Sequence, residues 1–219
     1  MTFLDDELSR SLSPELAVLG LELVRPRRWV SSTTLPIRRM FWFYPLKGMR
    51  YTACWGFSLD FVPHIKARHL RWKRTSKTAA FDLCIDPVDE EGVADWCSLS
   101  FYPPLAVPSR QEIAQVASAT SRRARHDYAR VASINDIVAL FEERSKMTFQ
   151  RFSLENYVQT EIAWGLALIA LGRSEEGETH IAAYCEHFRV DRDDPVLSKA
   201  RLAAAAYHTA EPNSTLSRS

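Results

Sequence analysis

The chain has 219 residues, of which 46% are hydrophobic and 25% charged, and its formal net charge at pH 7 is +1. This composition is ordinary for a globular protein and allows a sizeable core. No apolar stretch reaches the ~18 residues that a membrane span needs. The acidic segment 1–7 also lacks the basic start and apolar run of a signal peptide. From these features we expect a cytoplasmic protein that does not span a membrane.

The spacing of the cysteines is typical of reduced thiols in a cytoplasmic protein. Cys54, Cys84, Cys97 and Cys185 are far apart and form no C-x-x-C pair, so we expect buried, reduced thiols. The 22 arginines greatly outnumber the 6 lysines, and alanine is common. That bias is typical of a high-GC bacterial coding sequence.

The first part of the chain predicts one helix followed by a sheet. Ser13 and Pro14 suit the start of a helix that ends near Gly20. From there to about residue 102 the pattern has period two, most clearly over residues 51–61. This pattern predicts an antiparallel sheet of about four to six strands.

The second part of the chain predicts helices only. Capping signals stand at Ser109 and Ser133, and further helices are expected over residues 153–171, over residues 175–188 and from Pro195 onward. We therefore expect an α+β fold, with a sheet region at 1–105, an all-helical region at 106–209 and a disordered tail at 210–219.

Residues 164–176 read WGLALIALGRSEE, with Gly172 at the expected end of one helix and the next helix starting almost at once. This segment resembles the turn region of a tetratricopeptide repeat. The likeness covers about one repeat, whereas such solenoids need roughly three to bury their faces. It implies an antiparallel helical hairpin and carries no expectation about a ligand.

Charge is distributed unevenly along the first half of the chain. Residues 21–80 hold thirteen lysines and arginines against two acids, whereas residues 81–105 hold six acids and no base. Several bases stand next to aromatic residues, which is typical of surfaces that bind anions. We expect the binding residues to be Arg27, Arg28, Arg38, Arg39, Arg71 and Lys73. The alternative is that these charges only solvate the surface, because in a strand neighbouring side chains point to opposite faces.

Asp60, His64 and His69 are the candidates for chemistry. A carboxylate near two histidines could bind a metal or transfer a proton, although this spacing matches no standard ligand pattern. Two weaker candidates are the acids Asp82 and Asp86 and the helical stripe of His180, Tyr184 and His187. For both we favour solvation or packing.

The sequence has no Gly-x-Ser-x-Gly elbow and no Gly-rich phosphate loop. We therefore favour a non-catalytic binding protein that needs no cofactor and contacts an acidic protein or a nucleic acid through the basic sheet region. Two alternatives stay open. One is a small metal-dependent hydrolase or nuclease using Asp60, His64 and His69, and the other is a structural subunit that docks through its C-terminal helices.

Overall fold

We describe the protein from a computed structural model of residues 3–32, 36–46, 50–66, 69–72, 75–85, 88–89, 92–93, 98–100, 108–146 and 160–210. The chain forms two compact units. The sheet unit comprises residues 1–58, 75–131 and 148–158, and the helical unit comprises residues 59–74, 132–147 and 159–219. The chain passes between the two units several times.

The elements follow in chain order. They are α1 (Phe3–Ala17), β1 (Leu21–Arg25), β2 (Arg28–Ser31), β3 (Ile37–Leu46), β4 (Arg50–Leu59), β5 (His64–Lys66), β6 (His69–Arg71), β7 (Leu83–Ile85), β8 (Val88–Asp89), β9 (Gly92–Val93), β10 (Ser98–Ser100), α2 (Arg110–Ala129), α3 (Ile134–Arg144), α4 (Thr160–Ala170), α5 (Ser174–Phe188) and α6 (Pro195–Ala210).

The main sheet has six strands in the order β1-β2-β3-β4-β10, and β7 pairs with a different part of β4 from β10. The pairings of β1 with β2, β2 with β3, and β4 with β7 and β10 are antiparallel. Two small antiparallel pairs, β5 with β6 and β8 with β9, stand apart from it. In the described residues, 38–100 contain no helix and 110–210 contain no strand. The α+β class and the antiparallel sheet are therefore confirmed.

The core of the sheet unit lies between one face of the sheet and the helices α1 and α2. Its largest fully buried side chains include Trp29, Phe41, Phe43, Trp55 and Phe57. Polar atoms on these rings have partners on the helices. The indole N–H of Trp29 donates to Ser13 Oγ at 3.1 Å, and that of Trp55 donates to Asp127 Oδ2 at 2.9 Å. A buried donor needs such an acceptor, so these bonds fix where each helix lies on the sheet.

The first helix begins earlier than the sequence predicted. It starts at Phe3 and contains Pro14 in its interior, and Ser13 accepts a hydrogen bond from Trp29 instead of capping the helix. The reason is a stripe of leucines four residues apart, at positions 4, 8, 12 and 16, all of which are buried. Burying each leucine stabilises by ~1.5–3 kcal/mol. Together these contributions exceed the ~3 kcal/mol that an interior proline costs.

The helical unit is built around α4, which packs against α3, α5 and α6. The helices α4 and α5 form the expected antiparallel hairpin, and Gly172 between them has a φ of +80° that favours glycine. Trp164 is half-buried rather than fully buried, with its ring stacked between those of Phe141 and His180. The first turns of the helix expected over 153–171 and the tail 211–219 lie outside the described residues.

Cys54, Cys84 and Cys185 are buried and free, in agreement with the expected reduced thiols, and Cys97 lies outside the described residues. Burial raises the pKa of the Cys185 thiol, which disfavours its reactive thiolate. Within the described ranges, none of the helices combines the length and the apolar character needed to span a membrane.

Candidate anion-binding surface

The sheet face opposite the helices carries a row of side chains across three strands. Arg25 of β1 lies opposite Arg28 of β2, and Arg28 lies opposite Trp42 of β3. Residues opposite one another in a ladder share a face. The guanidinium carbon of Arg28 stands 5.3 Å from the Trp42 ring centroid, in a cation–π contact.

Two further aromatic rings complete the surface around Trp42. The ring of Tyr44 meets that of Trp42 edge-on at 4.8 Å, and the ring of Phe81 is stacked with it at 6.5 Å. All three rings are half-buried. We call Arg25, Arg28, Trp42, Tyr44 and Phe81 the Arg28 surface.

An apolar layer supports this surface from within the sheet unit. Val30, Met40 and Ala79 form a buried cluster, against which Val24 and Phe81 pack. Val30 lies two residues after Arg28 on β2, and Met40 lies two residues before Trp42 on β3. The buried cluster therefore holds β2 and β3 in place and fixes the positions of Arg28 and Trp42 on them. The positions of the guanidinium and the indole are therefore set before any partner arrives.

The charge of Arg28 is poorly compensated. Its Nε atom is buried and has no hydrogen-bond partner in the part of the chain that the structure describes. Burial lowers the pKa of Arg28, and the neighbouring charge of Arg25 lowers it further. Like charges directly opposite in a ladder repel each other. The surface thus presents a half-desolvated guanidinium group that an anion would stabilise.

The arginine just before β2 and the arginines of β3 are held by the protein itself. Arg27 pairs with Asp5 at 3.0 Å and lies over the Tyr51 ring. The guanidinium of Arg39 lies over the Tyr128 ring at 5.8 Å. Arg38 donates to the backbone oxygen of Ser31 at 3.4 Å. Since α2 carries Tyr128, Arg39 faces the helices, on the opposite face of the sheet from Arg28.

The remaining expected binding residues belong to the helical unit. Arg71 is exposed at the end of β6, and Lys73 lies outside the described residues. The bases selected from the sequence therefore divide between the two units. Among those that the structure describes, Arg28 is the one that combines burial, an aromatic partner and a charge with no counter-ion in the described residues. Sequence reasoning did not select Arg25, Tyr44 or Phe81. Tyr44 lies two residues after Trp42 on β3, so the period of a strand places both rings on one face. Phe81 approaches Trp42 only in the folded protein.

The catalytic candidates are placed as follows. Asp60 is half-buried directly after β4. His64 and His69 lie on the paired strands β5 and β6, where His64 is opposite Arg71 and His69 is opposite Lys66. The side chains of both histidines lie outside the described structure, so their proposed role stays a prediction. Among the described residues, no group of three or more His, Cys, Asp or Glu side chains could hold a metal ion.

The helical stripe of His180, Tyr184 and His187 has packing partners. The Nδ1 atom of His180 lies 2.7 Å from Glu161 Oε2, and its ring stacks on Trp164 at 4.1 Å. Tyr184 and His187 both contact the ring of Phe188. Burial raises the pKa of Tyr184 above its ordinary range, so this hydroxyl stays neutral. His180 therefore joins α5 to α4, whereas the contacts cited for Tyr184 and His187 lie within α5.

Comparison of the chain with protein-family models, with curated proteins and with solved structures finds no match.

Proposed function

We propose that the protein is a non-catalytic binding protein whose Arg28 surface holds an acidic segment of a partner protein. The observation that carries the proposal is the charge of Arg28. Its guanidinium is half-desolvated and lies beside Arg25, and no carboxylate of the described residues is among the groups that shift its pKa. A buried charge without a partner is unfavourable for folding alone. A carboxylate from a second protein would supply the missing counter-charge to the Arg28 guanidinium.

The composition of the surface favours a protein partner. Tryptophan, tyrosine and arginine are the residues that contribute most to protein–protein binding energy. Here Trp42, Tyr44 and Arg28 stand together on an apolar layer. The half-buried rings offer apolar contact area, and the guanidinium fork offers paired donors to one carboxylate.

The same geometry disfavours a nucleobase as the ligand. Base stacking needs an open ring face. The Trp42 ring already lies under the Arg28 guanidinium and is stacked with Phe81. A base would have to displace contacts that the protein makes with itself, whereas a carboxylate needs only the edge of the guanidinium.

The test compares Arg28→Met with wild type in both binding and stability. Methionine keeps much of the side-chain volume and removes the charge. We expect loss of binding together with an unchanged or higher thermal midpoint, because an uncompensated buried charge disappears. If Arg28 were only a structural residue, its removal would lower the midpoint and leave binding intact.

Binding is measured with a fluorescein-labelled peptide that alternates glutamate with leucine, and with its glutamine counterpart as the control ligand. A hydrogen bond to a charged group contributes ~1.5–3 kcal/mol. The substitution Arg28→Met should therefore lower the affinity for the glutamate peptide roughly 10- to 100-fold. Arg71→Met is the matched control protein, since Arg71 is an exposed arginine of the helical unit. It should bind like wild type.

Two results would contradict the proposal. One is equal affinity for the glutamate and glutamine peptides, and the other is equal affinity of wild type and Arg28→Met. Labelled single- and double-stranded oligonucleotides form the comparison arm. Binding of an oligonucleotide that depends on Arg28, without binding of the acidic peptide, would assign the surface to nucleic acid instead.

A further inference from the structure

Among the described residues, the first strand of the sheet has one edge with no neighbouring strand. β1 stands at the end of the strand order and, among the described strands, pairs only with β2. Such an edge exposes unpaired backbone N–H and C=O groups and can accept another strand. Unlike the usual protected edge, β1 also carries an apolar side chain in the open, since Leu23 is 40% exposed.

An irregularity in β1 decides which side chains share a face. Glu22 lies opposite Val30, Leu23 opposite Trp29, and Arg25 opposite Arg28, so the ladder skips Val24. Val30 and Arg28 are two residues apart on β2 and share a face. Glu22 and Arg25 therefore share that face too, although three residues separate them. In the ladder, Glu22, Leu23 and Arg25 occupy three consecutive positions.

When two β1 strands lie side by side and antiparallel, this order of charges places opposite charges face to face. When a second β1 runs antiparallel along the open edge, with a two-fold axis at Leu23, Glu22 of each copy lies opposite Arg25 of the other. Opposite charges facing each other across a ladder stabilise the pairing. The two exposed Leu23 side chains meet at the axis. A two-fold contact of this kind is closed, so it ends with two copies and forms no filament.

We propose that two copies of this chain associate through their β1 edges into one continuous sheet. Glu22 and Arg25 have no ion-pair partner among the described residues, so both charges are available to a second copy. Val18, which is 76% exposed three residues before β1, adds apolar surface close to the same edge. A five-residue strand buries less than a standard interface, so we expect a weak dimer with a dissociation constant on the order of 1–100 µM.

The dimer does not depend on the proposed function of the Arg28 surface, because Arg28 lies one strand inside the edge. It would nevertheless affect that surface. The carboxylate of Glu22 from the second copy would stand beside Arg25 and offset the repulsion between Arg25 and Arg28. Arg28 and the aromatic rings would remain available for a separate acidic segment.

Charge reversal tests the pairing. Glu22→Arg and Arg25→Glu each place two pairs of like charges in the dimer, and each should weaken the association at least tenfold. The double variant Glu22→Arg/Arg25→Glu restores both pairs with their signs exchanged and should dimerise like wild type. An equimolar mixture of the two single variants should form a heterodimer, since one chain then carries two arginines and the other two glutamates at these positions.

Sedimentation velocity over a wide concentration range measures the association. The thermal midpoint of Glu22→Arg should match wild type, because exposed charges contribute little to stability. That of Arg25→Glu should not fall, since its new carboxylate lies opposite Arg28 in the ladder. A wild-type chain that stays monomeric at every concentration would overturn the inference. So would a dimer that tolerates both single variants, or a double variant that stays as weak as they are. Binding of the acidic peptide is compared between wild type and Arg28→Met, which both keep Glu22 and Arg25, so this inference and the proposed function can fail separately.

Discussion

Gly165 of α4 and Gly177 of α5 determine how closely these two helices approach. A Cβ atom added at Gly165 would lie 2.6 Å from the carbonyl oxygen of Gly177 and 2.8 Å from Ile181 Cγ1. One added at Gly177 would lie 2.5 Å from the carbonyl oxygen of Gly165. Both oxygens belong to helix backbone and cannot rotate away. Gly165→Ala and Gly177→Ala therefore force the helices apart.

Two opposing effects set the magnitude. Alanine is better than glycine inside a helix by ~1 kcal/mol, which would stabilise either variant if nothing else changed. Overpacking costs ~1–3 kcal/mol, and a clash with backbone belongs at the upper end of that range. We expect each variant to lose about 1–2 kcal/mol of unfolding free energy. The double variant should lose less than the sum, because one separation of the helices accommodates both methyl groups.

Urea denaturation followed by far-UV circular dichroism measures these differences. Ala183→Gly is the calibration, because Ala183 is exposed on α5 and should lose only the ~1 kcal/mol of helix propensity. The reasoning would be refuted if Gly165→Ala were more stable than wild type by the ~1 kcal/mol that separates alanine from glycine in helix propensity. The helices would then have room for a methyl group at the crossing.

Local signals in the sequence were enough to predict the fold class and the starts of α2 and α3. The spacing of Ser109 and Glu112 predicts a capping box, and the structure has both of its hydrogen bonds. The same holds for Ser133 and Asp136 at the start of α3. These contacts involve residues three apart, so no knowledge of the tertiary structure is needed.

The first helix shows where local signals mislead. Ser13 and Pro14 have the chemistry of a helix start, yet they lie near the end of α1. The helix is held by leucines that pack on the sheet unit, and the partner of Ser13 is Trp29, sixteen residues away. Which of two starts is used depends on burial that only the folded sheet provides.

Of the Arg28 surface, the sequence singled out Arg28 but not the ring that it contacts. Trp29 adjoins Arg28 in sequence, yet its ring is fully buried on the helix-facing side of the sheet. The ring that Arg28 contacts belongs to Trp42, fourteen residues further on, because the register of β2 and β3 sets these two residues opposite each other. Register depends on all the strands that pair, and neighbouring residues in the sequence do not reveal it.

Two pH-dependent effects follow from pKa shifts in opposite directions. The backbone N–H of Ala132, with help from Ser133, lowers the pKa of Asp136, so its contribution to stability is present above about pH 4 and is lost as the pH falls through the folded-state value. The stability advantage of wild type over Asp136→Asn should therefore shrink between pH 7 and pH 3, and a constant difference would contradict it. The hydroxyl of Tyr128 donates to the backbone oxygen of Met40 at 2.5 Å, and burial raises the pKa of this group well above its ordinary value. Tyr128→Phe should lose ~1 kcal/mol at pH 7 through the missing hydrogen bond. A raised pKa stabilises the neutral native state below about pH 10, and that contribution falls as the pH rises further. Wild type should accordingly lose more stability than Tyr128→Phe between pH 9 and pH 11, and the loss that remains in the variant should come in part from Tyr184, whose pKa burial also raises. Equal losses in the two proteins would mean that Tyr128 ionises in the native state as freely as in water.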